Sequence, residues 1–80
     1  MRVFLVACTL LLPAPAMAAD DASACAEGIT MIRDSLALNP PEAALPKLKK
    51  ALRVAEREQK EGELDECLEA VAEARKVLGR

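Results

Sequence analysis

GELDECLEAVAEARKVLG, residues 62–79, is the stretch that decides the fold. It opens and closes on glycine, which takes the left-handed backbone that ends a helix at no steric cost. Between the two glycines, Leu64, Cys67, Leu68, Val71, Arg75 and Leu78 fall on one helical stripe. The stem of Arg75 is expected to lie along the edge of the core. Asp65 and Glu66 place negative charge where the dipole of a helix start favours it. The pattern predicts a helix from about Leu64 to Leu78 with Cys67 on its apolar side.

Working back from Gly62, Leu48, Leu52 and Ala55, widened by Ala51, draw a second helical stripe. Asn39-Pro40-Pro41-Glu42 has a capping-box-like layout, with Asn39 as cap and Pro40 at the first helical position. Pro46 lacks an amide proton, so a kink or a restart is expected near Leu45. Further back, Cys25, Ile29, Ile32 and Leu36 make a third stripe, predicting a helix over about residues 21–38. Asp20, Asp21 and Ser23 are candidates to cap it. Gly28 lies inside that helix at a cost of about 1 kcal/mol relative to alanine. It is either a tolerated surface position or the mark of close helix packing near a disulfide. There is no strand pattern. The expected fold is all-α, a small three-helix bundle made of an antiparallel hairpin plus an N-terminal helix.

Cys25 and Cys67 lie on the apolar stripes of the first and third helices. Agreement between cysteine position and periodicity points to one disulfide inside one domain. Closing a loop of this length contributes on the order of 4 kcal/mol, comparable to the whole stability of a small domain. A redox role fits poorly. Asp65, Glu66 and Glu69 around Cys67 would raise a thiol pKa rather than lower it.

The N-terminus reads as an address. Met1-Arg2 is basic, Val3 to Leu12 is apolar, and Pro13-Ala14-Pro15 breaks any helix. Ala16 and Ala18 then place small residues where a signal peptidase reads. The apolar run is too short to span a bilayer. Residues 1–18 are therefore expected to be a cleaved secretory signal and residues 19–80 the mature domain, periplasmic or secreted. Cys8 goes with the signal.

What residues 19–80 lack narrows the function. They contain no His, Phe, Tyr or Trp, because the single Phe is Phe4. Missing histidine removes the usual general base and the commonest metal ligand. Missing aromatics remove the stacking platforms that single-stranded nucleic acid uses and the anchors of an interfacial helix. Ser23, Thr30 and Ser35 are the hydroxyl residues, with no histidine to activate them. The full chain carries a net charge of −2 at pH 7, and losing Arg2 leaves it mildly acidic. That gives no long-range pull toward nucleic acid or an anionic membrane. No enzyme, cofactor or metal role is expected.

Charge is strongly patterned. Lys47, Lys49, Lys50, Arg53, Arg57 and Lys60 sit on the second helix. Glu61, Glu63, Asp65, Glu66, Glu69 and Glu73 sit on the turn and the third. The plain reading is complementary dressing of the hairpin, with pairs such as Glu56–Lys60 adding a few tenths of a kcal/mol. The sharper one is a docking face carried by Lys49, Arg53 and Arg57.

The stretch Ala51 to Leu78 resembles a single tetratricopeptide hairpin. Ala55, Gly62, Leu64, Cys67, Val71 and Ala74 occupy its small-residue and turn positions. Glu58 stands where the family prefers an aromatic, and Gly79 where a proline closes the repeat. Three units are normally needed for stability, and here there is one. The resemblance implies close helix packing and an interaction surface. The chain is also similar in style to small exported bacterial helical proteins. The expected role is a non-enzymatic interaction or accessory module of an envelope complex, with another envelope or secreted protein as partner. The alternative is a small periplasmic stress chaperone that tolerates many clients.

Overall fold

The computed structural model describes the backbone of residues 17–80 and the side chains of residues 20–80. Residues 1–16 of the expected signal, with Ala16, lie outside the described residues, as does the side chain of Ala18. Three helices follow one another: α1 (Met17–Ala37), α2 (Leu45–Glu61) and α3 (Leu64–Leu78). Each packs on the other two, α2 and α3 as an antiparallel hairpin and α1 laid along it. The described residues hold no strand. This is the small all-α bundle that the periodicity predicts.

The hairpin closes where the glycines stand. Gly62 has φ 79°, and the chain satisfies the end of α2 through Gly62 N–H to Gln59 O and Glu63 N–H to Glu58 O. Gly79 ends α3 in the same way at φ 76°, with Gly79 N–H to Lys76 O and Arg80 N–H to Arg75 O. This paired bonding past a left-handed residue is a Schellman closure. Both bounds of α3 match the sequence reading.

The other helix starts differ from expectation. Asn39 does not cap α2. Its φ of 55° is left-handed, whereas a cap residue needs an extended backbone. Pro41 in turn disfavours helical backbone at Pro40. The chain instead makes two tight turns, Ala44 N–H to Pro41 O at 2.9 Å and Leu45 N–H to Glu42 O at 3.2 Å. Only then does α2 begin, with Leu48 N–H bonded to Ala44 O. Pro46 falls in its first turn, where a missing amide proton costs nothing. So Pro46 sets a restart and not a kink. In α1, Asp20, Asp21 and Ser23 lie inside the helix and do not cap it. The good helix formers Met17, Ala18 and Ala19 carry the helix back past them.

The core is built from Cys25, Ile29, Ile32, Leu48, Ala51, Ala55, Cys67, Ala70, Val71 and Ala74. Alanine is its commonest member, so the helices approach closely but each residue removes little surface from water. Arg75 is exposed, contrary to expectation. Ala70 and Ala74 take the inner positions beside Val71, rotating the buried face away from the arginine.

Cys25 and Cys67 are fully buried and form the expected disulfide, with a Cα–Cα separation of 5.8 Å. It ties α1 to α3. Just beyond it Gly28 is buried, and a Cβ there would stand 2.5 Å from both Cγ atoms of Val71. Gly28 thus marks a close approach of α1 to Val71 of α3, one turn on from the cystine.

Candidate interaction groove

With α1 and the cystine on one side, the hairpin leaves its other side open. An open groove of about 860 Å³ runs between α2 and α3 there, and among the described residues none of α1 lines it. Its floor is Ala51 and Val54 from α2 with Ala70 and Val77 from α3. Ala51 and Ala70 are almost fully buried, while Val54 and Val77 are half-buried. Lys47 and Lys50 rise from α2; Glu66, Glu69, Glu73 and Lys76 rise from α3. All six charged residues are exposed.

Few of these charges are tied down. Among the described residues the ion pairs are Arg33–Glu56, Arg57–Glu58 at 2.9 Å and Lys76–Glu73 at 3.4 Å. None joins α2 to α3, so the charges do not dress the hairpin as cross-helix pairs. Glu56, expected beside Lys60, turns to Arg33 and links α2 to α1. Among the described residues Lys47, Lys50, Glu66 and Glu69 enter no ion pair, so their charge is available to a partner.

Lys49, Arg53 and Arg57 are all exposed on α2, and none of them lines the groove. Arg57 is engaged by its neighbour. The Glu58 carboxylate accepts its hydrogen bonds and, with that bond first and charge second, raises the guanidinium above its ordinary pKa. The groove residues were visible in sequence as a weaker pattern. Lys47, Ala51 and Val54 repeat at helical spacing on α2, as Glu66, Ala70, Glu73 and Val77 do on α3. These are second stripes beside the core stripes. Choosing between them needs to know which flank α1 covers.

Among the described residues no cluster of three His, Cys, Asp or Glu side chains is placed to hold a metal ion. No helix among them is long and apolar enough to cross a membrane. A smaller cleft at the far end is lined by Ser35, Leu38, Pro40, Pro41, Leu78 and Arg80. Among the described residues Leu38 there is the most exposed large apolar side chain, at 77%. No family model matches the chain. Nor does any curated protein or solved structure match it.

Proposed function

We propose that this is an exported, non-enzymatic helical protein that acts by docking another envelope or secreted protein. The observation that carries this reading is the open groove between α2 and α3, with its small apolar floor and its charged walls free of cross-helix pairs. An apolar floor with charged edges is what an amphipathic helix needs from its receptor. The likeness of Ala51 to Leu78 to a tetratricopeptide hairpin supports the same reading. The buried cystine and the signal-like N-terminus support export, since such a bond persists in oxidising compartments.

The test is cross-linking capture from the native envelope with oxidised residues 19–80 as bait. Three baits are compared: the natural sequence, Glu66→Lys/Glu69→Lys in the groove, and Lys49→Glu/Arg53→Glu outside it. The expected outcome is one dominant protein, lost with the groove variant and kept with the other. Loss with only the second variant would move docking to the outer side of α2. Many unrelated proteins, retained by all three baits, would instead identify a client-tolerant chaperone.

A further inference from the structure

The charges of the groove are sorted along its length. Lys47 and Lys50 come early in α2 and Lys76 late in α3, so all three stand at the end away from the Gly62 turn, where Glu73 pairs with Lys76 and leaves that end net basic. Glu66 and Glu69 come early in α3 and stand at the end beside that turn. The groove therefore has a basic end and an acidic end, with Ala51, Val54 and Ala70 between them.

A surface sorted in this way is complementary to itself. Two copies related by a two-fold axis bring the same patch together, so a contact of one end with the other is made twice. If that axis crosses the groove at right angles to the helices, one copy is reversed relative to the other. The basic end of each copy, with Lys47, Lys50 and Lys76, then meets the acidic end of its mate, with Glu66 and Glu69. The alanine floors allow the two hairpins to approach, and the half-buried Val54 side chains meet near the centre. From this we infer that the groove takes a second copy of this chain, two hairpins packing face to face as a four-helix bundle with α1 outermost on each side. The inference rests on the groove being the docking surface. A foreign helix would have to carry the opposite charge order, whereas a second copy carries it by symmetry.

Short two-helix faces give interfaces in the weak class. Association is therefore sought by sedimentation equilibrium from about 10 µM to about 1 mM. The expected result for oxidised residues 19–80 is a monomer–dimer equilibrium, weakened roughly tenfold or more between low and high salt. Glu66→Lys/Glu69→Lys makes both ends basic, and Lys47→Glu/Lys50→Glu makes both acidic. Each variant alone is expected to be monomeric, and a one-to-one mixture to form a heterodimer. Lys49→Glu/Arg53→Glu, outside the groove, is expected to dimerise as the natural sequence does. Circular dichroism checks that every variant is folded. A natural sequence that stays monomeric at about 1 mM overturns the inference, as does a dimer that survives both groove variants. If the natural sequence is monomeric while Glu66→Lys/Glu69→Lys still loses the captured protein, docking stands and self-association falls.

Discussion

On one flank of α3, Cys67 and Val71 are buried against α1, joined to it by the cystine and by the close approach at Gly28. On the other flank, Ala70 and Val77 form the floor of an open groove between charged walls. Both flanks use small and β-branched residues at the same helical spacing. They differ in what lies across from them. The closed flank concentrates the cohesion of a domain whose core has alanine as its commonest member. The open flank adds only Ala51 and Ala70 to that core, and its charges make no ion pair across the hairpin among the described residues.

The sharpest way to break this contrast is to cut the tie. Cys25→Ser/Cys67→Ser is expected to lose about 4 kcal/mol, enough to unfold so small a domain at ordinary temperature. Far-ultraviolet circular dichroism against temperature reads this directly, with reduction of the natural protein as a parallel arm. A folded, cooperative reduced protein would mean that the alanine core suffices alone.

Next in size is Gly28→Ala. The added methyl would stand 2.5 Å from the Val71 methyls. Overpacking of that kind costs about 1–3 kcal/mol, against a gain of about 1 kcal/mol in helix propensity. A net loss of about 1 kcal/mol by urea denaturation is expected, and Val71→Ala in the same chain should reverse most of the clash. Stabilisation by Gly28→Ala alone would show that the helices can part there without penalty.

The smallest effect belongs to the open flank. Glu66→Lys/Glu69→Lys is expected to cost under about 1 kcal/mol, mainly because Glu66 lies in the first turn of α3. A larger loss would make those carboxylates structural and erase the division of labour between the two flanks.

The closed flank was the legible one. Cys25, Ile29 and Ile32 declare one side of α1, Leu48 and Ala55 one side of α2, and Cys67 and Val71 one side of α3. Large apolar residues at helical spacing leave little choice. The paired glycines gave both bounds of α3 because nothing else competes for a left-handed position. The start of α2 was not legible, since Pro40 and Pro46 are both acceptable in a first helical turn. The choice falls to Asn39, whose left-handed backbone ends the first helix and cannot open the second. Ala70 escaped because alanine is as common outside as inside, and Ala74 was marked only by the likeness to a tetratricopeptide hairpin. The groove escaped for a related reason. Lys47, Lys50, Glu66 and Glu69 read as solvated charge until α1 is seen to occupy the opposite side. Lys49, Arg53 and Arg57, the docking candidates of the sequence, repeat at one-turn spacing on α2 and do not line the groove.

The cystine joins α1 to α3 and encloses the link between α1 and α2 within its loop. That link, from the exposed Leu38 through Ala44, carries no helix and is the natural place for a protease to cut. A single nick there cannot release α1. It yields two chains tied by one bond, heavier than the parent by a water and unchanged in outline until a reductant arrives. The same bond that steadies the bundle thus makes its proteolysis silent, and a reducing gel is needed to see that the chain has been cut.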